Sequence, residues 1–168
     1  MNAALALPLV APLLGAAMSM LWRRLAVQRI ISFVALSLSL GASVAVLVRV
    51  VGDDTIVVSR LGGWPAQVAI TLVADRLAAM LLVVAVSVVC VVLAFAIGQR
   101  ASDERSPAYH PVYLVLCAGI AQAFLAGDLF NLFVAFELLL MASYVLLTLE
   151  GTDTQIRAGT TYVVLNVI

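Results

Sequence analysis

The chain has no lysine, a single histidine (His110) and two cysteines, Cys90 and Cys117. Only 11% of its 168 residues are charged: nine arginines against six aspartates and three glutamates, for a formal net charge of zero. Nothing in that balance steers the protein toward an acidic partner, and no nucleic-acid module is expected. Both cysteines lie inside apolar runs without CxxC or metal spacing, so they read as small buried hydrophobes. His110 sits at a loop-to-helix junction with no second histidine to share a metal. P-loop, GxGxxG, HExxH and Ser/His/Asp patterns are all missing.

What remains is apolar. Hydrophobic residues make up 65% of the chain and mean hydropathy is +1.19. A soluble domain carries about 45–50% apolar and about 25% charged residues, and a globule this small could not hide so much apolar surface from water. Composition therefore excludes a soluble enzyme and a disordered tail and leaves an integral membrane protein, which the apolar spans below make an all-α polytopic membrane protein.

Apolar runs of roughly 20 residues cross a bilayer. Uncharged stretches cover residues 1–22, 30–48 and 77–99. Residues 111–127 form a fourth span, and residues 129–149 a fifth that only Glu137 interrupts. A sixth begins near residue 155; its 14 residues would reach about 21 Å, short of a core of roughly 30 Å. The chain accordingly reads as the N-terminal part of a longer protein, with its sixth helix cut short. The first run is a retained span, since Arg23 and Arg24 follow it and no small-x-small cleavage site is convincing.

Arginine bias in short loops sets orientation. Arg23, Arg24 and Arg29 join spans 1 and 2, Arg100 and Arg105 join spans 3 and 4, and Arg157 follows span 5. Those loops are expected in the cytoplasm and the N-terminus outside. The long polar connection, about residues 52–71, holds β-branched stretches at Thr55–Ser59 and Gln67–Thr71 around Gly62-Gly63-Trp64-Pro65. That pattern predicts a small extracytoplasmic β-hairpin, with Trp64 at the membrane interface.

Glu137 is the main chemical signal. Eight residues into its span, it lies about 12 Å deep, near the bilayer middle, where an acidic group costs roughly 2.5–3.5 kcal/mol. Such residues mark ion or proton paths by default; the plain alternative is an interhelical hydrogen bond. Burial penalises the charged carboxylate and a nearby cation favours it. A carboxyl balanced between the two can load and release a proton when the cation moves. Tyr144 and Thr148 follow at i+7 and i+11 on the same face, either lining a hydrated half-path or bonding to neighbouring helices. Phe130, Phe133 and Met141 share that face. Asp128, with Asn131 one turn later, is either the N-cap of the fifth helix or an outer mouth of the path. Asp75 opens the third helix as a dipole partner beside Arg76, which can snorkel. Gln122 and Asn166 are intramembrane amides that serve as packing glue or hold a water chain.

Residues 127–147, GDLFNLFVAFELLLMASYVLL, resemble the fifth helix of the antiporter-like proton-translocating membrane subunits. That family includes large subunits of Mrp-type Na+/H+ antiporters and related subunits of respiratory complex I and membrane-bound hydrogenases. Residues 61–82, LGGWPAQVAITLVADRLAAMLL, are similar to the D-type branch of the Mrp antiporters. The resemblance implies a fold of about 14 helices with two inverted five-helix repeats. Residues 1–109 would hold the N-terminal helices and hairpin, and residues 110–168 the start of the first repeat. Glu137 matches the family glutamate, whose partner is a lysine on a helix beyond this sequence. The implied function is Na+/H+ exchange driven by the proton-motive force, together with other membrane subunits and without an organic cofactor or metal. A proton-pumping subunit of a redox complex and a purely structural assembly subunit are the alternatives.

Overall fold

The computed structural model describes residues 3–60, 70–99, 106–149 and 151–167. Six helices and one strand pair follow in order: α1 (Ala3–Leu21), α2 (Leu25–Gly52), β1 (Val57–Arg60), β2 (Thr71–Ala74), α3 (Arg76–Gln99), α4 (Tyr109–Leu125), α5 (Leu129–Leu147) and α6 (Asp153–Val167). α1, α2, α3 and α5 are long and apolar enough to cross a membrane, and α4 is a shorter apolar helix. α6, with 15 residues, is not among the four.

α4 is the hub. It contacts α1, α2, α3 and α5, and most of its residues are buried, Leu114, Cys117, Ala118, Ala121 and Leu125 completely. α5 packs on α4 and α6 on α5, while α3 packs on α2 and α4. Gly15 lets α1 approach α2, because a Cβ there would lie 2.6 Å from the Ala35 Cβ. Cys117 is fully buried and Cys90 half-buried; both are free thiols within the apolar core.

α2 carries a buried polar line that its apolar sequence conceals: Gln28, Ser32, Ser39 and Ser43. One member repairs a defect in α1. Pro12 has no N–H, so the carbonyl four residues earlier, on Pro8, has no helical donor. The Ser39 hydroxyl donates to it at 2.8 Å. In hydrocarbon no water could do so.

The strands pair antiparallel, Val57 opposite Ala74 and Arg60 opposite Thr71. The hairpin expected from sequence is present, with shifted strands. β1 starts two residues later than Thr55, and β2 starts at Thr71, where the predicted second strand ends. The proposed turn, with Trp64, and residues 67–69 of the expected second strand lie outside the described residues. The shift follows from burial: Leu72 and Ala74 point into the end of the bundle with no exposed surface, as does Ser59 at 6% exposure. Strand period then turns Val58 outward.

Two expectations follow. Ser39→Ala should lower stability by about 1–2 kcal/mol, because the Pro8 carbonyl loses its donor. Adding Pro12→Ala should recover most of that, because residue 12 then supplies an N–H; thermal unfolding of the two variants in detergent checks it. For orientation, a cysteine at exposed Val58, in a protein lacking Cys90 and Cys117, should react with an impermeant thiol reagent from outside intact cells. Labelling confined to inverted vesicles would reverse the assignment.

Candidate functional site

Glu137 is the ninth residue of the 19-residue α5, so it sits near the middle of the helix, about 12 Å from its start and about 15 Å from its end. Its side chain is exposed. Among the described residues it makes no hydrogen bond or ion pair. Large apolar side chains flank it on the uncovered face of α5: Phe130, Phe133, Phe136 and Met141 are 71%, 60%, 54% and 63% exposed. The buried side of the helix is Asn131, Ala135 and Ala142. Glu137 is thus turned away from the core built by this chain.

The start of α5 is fixed by a network of polar groups. Asp128 is its N-cap, in extended backbone. One carboxylate oxygen accepts the Asn131 N–H at 2.7 Å and the other accepts the Thr71 N–H, from β2, at 3.2 Å. The Thr71 carbonyl accepts the Gly127 N–H at 2.9 Å and the Asn131 side-chain amide at 3.4 Å. Gln122 of α4 donates to the Asn131 side-chain oxygen at 2.6 Å. Gln122 and Asn131 are 8% and 2% exposed. Gly127 is required here, since a Cβ would lie 2.5 Å from a Val73 methyl and 3.0 Å from the Thr71 oxygen. Asp128, Asn131 and Gln122 are therefore one cluster with the hairpin, at the opposite end of α5 from Tyr144 and Thr148.

Those two residues lie under α6. A Cβ on Gly159 would meet the Thr148 methyl at 2.6 Å and the Tyr144 ring at 2.9 Å. Thr148 ends α5 and donates its hydroxyl to the Tyr144 carbonyl at 2.9 Å. The Ser143 and Tyr162 hydroxyls meet at 3.0 Å between the two helices. α6 covers this end of the face and leaves Glu137 open. Asn166 lies in α6 one turn beyond Tyr162; its side chain is outside the described residues.

Asp75 stands apart from this cluster. It caps α3 by accepting the Ala78 N–H at 2.7 Å. Arg76 beside it pairs with Asp54 at 2.6 Å, with both side chains exposed, so the pair contributes little.

Sequence reasoning missed Thr71, whose part is played by its backbone and carries no residue-type signal. It also missed the environment of His110. That residue is fully buried, and its Nδ1 lies 3.0 Å from the Ser32 hydroxyl. Serine at helical spacing from Gln28 on α2 was the available cue.

No family model matches the chain. It is 43% identical to the D subunit of the Na+/H+ antiporter of Alkalihalophilus pseudofirmus, over 99% of this chain and 34% of that protein. It is 36% identical to the corresponding Na+/H+ antiporter protein of Bacillus subtilis, over 100% of this chain and 34% of that protein. Among solved structures, a chain of the Mrp complex from Dietzia sp. DQ12-45-1b matches with a TM-score of 0.87 at 29% identity, covering 99% of this chain and 32% of that one. A chain of the membrane-bound sulfane sulfur reductase, an archaeal respiratory membrane complex, shares the fold with a TM-score of 0.78 at 23% identity, over 96% of this chain and 33% of that one. The chain spans about a third of the length of these relatives.

The two-handed role of Asp128 changes what a substitution should do. An N-cap alone accepts Asn in place of Asp. Here both oxygens accept N–H groups, and one atom of an Asn amide would oppose a donor with a donor. Asp128→Asn is expected to cost about 1 kcal/mol and Asp128→Ala about 2 kcal/mol, read as loss of thermal stability. Equal stability for all three would remove the bond to Thr71 from the account.

Proposed function

Because the chain belongs, over the third of their length that it spans, with the Mrp-type Na+/H+ antiporter D subunits, we propose that it builds part of the ion path of a multisubunit cation/proton antiporter, with Glu137 as a proton carrier. The complete assembly would exchange cytoplasmic Na+ for external protons, driven by the proton-motive force. Its partners would be other membrane subunits in the cell membrane, and its N-terminus would face outside.

The observation that carries this reading is the placement of Glu137. It stands at mid-helix in an apolar span, on a face that the described residues leave uncovered. A carboxyl facing lipid there would cost roughly 2.5–3.5 kcal/mol, so protein or water belongs against it. A cation presented from that side would stabilise the ionised form, and its withdrawal would favour protonation. Tyr144 and Thr148, under α6, remain candidates for one end of the path. Asp128, Gln122 and Asp75 have structural partners that support a supporting role. The fold alone does not separate an antiporter from a redox-driven pump, since it also occurs in the archaeal respiratory complex. The higher identity to the antiporter subunits favours exchange.

Glu137→Gln keeps size and hydrogen bonding but removes the titratable proton. In vesicles holding the full-length complex, cation/proton exchange should be nearly abolished at normal assembly. Glu137→Asp retains the proton and retracts the carboxyl by about 1 Å, so partial exchange should persist. Normal exchange with Gln would make Glu137 structural.

A further inference from the structure

Taking Glu137 as the proton carrier, we infer that Asn131 and Gln122 are positioning residues that set the rotation of α5, and that the β2 strand is the fixed point against which they set it. α5 meets α4 closely at two levels. At one, Gln122 donates to Asn131 at 2.6 Å. At the other, Gly119 has no side chain, and a Cβ there would lie 3.1 Å from Leu139 Cγ and 3.3 Å from its backbone nitrogen. The levels are eight residues apart on α5, about 12 Å, and bracket Glu137. Ala135, on the buried side, lies two residues before Glu137 and about 160° around the helix. Rotation that breaks the Gln122–Asn131 bond would therefore swing Glu137 along the outer face.

Gly119 resists translation toward α4 but has no polar group to fix azimuth. The Asn131 amide does, because both of its ends are used. Its oxygen takes the Gln122 proton, and its nitrogen reaches the Thr71 carbonyl at 3.4 Å. Asp128 and Gly127 hold the same threonine backbone, and Leu72 bridges to Ala126. The hairpin and the turn before α5 form one piece, and Asn131 transmits its position to the helix. A shift of about 1 Å in a reacting group can cost on the order of a hundredfold in rate, so small rotations suffice.

The test uses the full-length complex in proteoliposomes. Exchange rate and labelling of Glu137 by dicyclohexylcarbodiimide are both measured; the label reads the surroundings of that carboxyl directly. Asn131→Ala should reduce exchange about tenfold and change the labelling rate at least about threefold at normal assembly. The near-isosteric Gln122→Met should do the same without leaving a hole. The exchanged pair Gln122→Asn/Asn131→Gln, with the same combined reach, should recover more than half of both readouts. Unchanged rate and labelling in Asn131→Ala would overturn the positioning role while leaving Glu137 as carrier. Failure of both single variants to assemble, without recovery in the exchanged pair, would make the bond a folding element only and also overturn it. Glu137→Gln is run alongside, and full exchange there would instead remove the carrier reading on which this rests.

Discussion

Inside a bilayer there is no water to satisfy a polar group, so each one must be met by protein or stand where protein or water will reach it. Much of this structure follows from that constraint. Pro12 frees a carbonyl and Ser39 answers it from the next helix. His110 is buried and Ser32 lies against it. Gln122 and Asn131 answer each other, and Tyr113 donates to the Val89 carbonyl at 2.7 Å across the α3–α4 contact. Glu137 has no such answer among the described residues, although it sits deeper along its helix than Asp128 or Asn131. By the same rule, the proposed reading requires protein or water against the outer face of α5.

The constraint also divides the labour around α5. The side toward α4 and β2 is closely packed: small residues, two close approaches and a network of directed bonds. The side carrying Glu137 is open and built of large apolar side chains, with α6 covering only its Tyr144 end. Under the proposed reading, a proton-carrying carboxyl needs surroundings that can change, and the helix that holds it needs surroundings that do not. Opposite sides of one helix satisfy both demands.

The transmembrane architecture was legible because its signal is physical and long. Uncharged runs of about 20 residues have few other uses, and each of the five expected before residue 150 is a helix. The hairpin was legible from β-branched residues around a turn, but its register was not. Register depends on which face meets the bundle, and the burial of Leu72 and Ala74 is a tertiary fact. The serines of α2 were lost in an apolar run because one hydroxyl every turn or two barely alters hydropathy. Glu137 announced itself by cost. Spacing put Tyr144 and Thr148 on the face of Glu137, yet it could not foresee that Gly159 brings α6 over those two and leaves Glu137 exposed. Thr71 was invisible because it acts through its backbone.

The distribution of positive charge bears on what completes that face. Every arginine in the described helices lies near a helix end: Arg29 and Arg49 in α2, Arg76 in α3, Arg157 in α6. Arg23 and Arg24 lie in the α1–α2 connection, and Arg60 ends β1. Among the described residues none stands at mid-helix as Glu137 does, and the chain has no lysine. Under the proposed reading, the cation that would alternately stabilise and release the carboxylate is supplied from beyond these residues, across the uncovered face. On that reading this chain would contribute the titratable group, and the counter-charge that would make it a switch would come from across the uncovered face of α5.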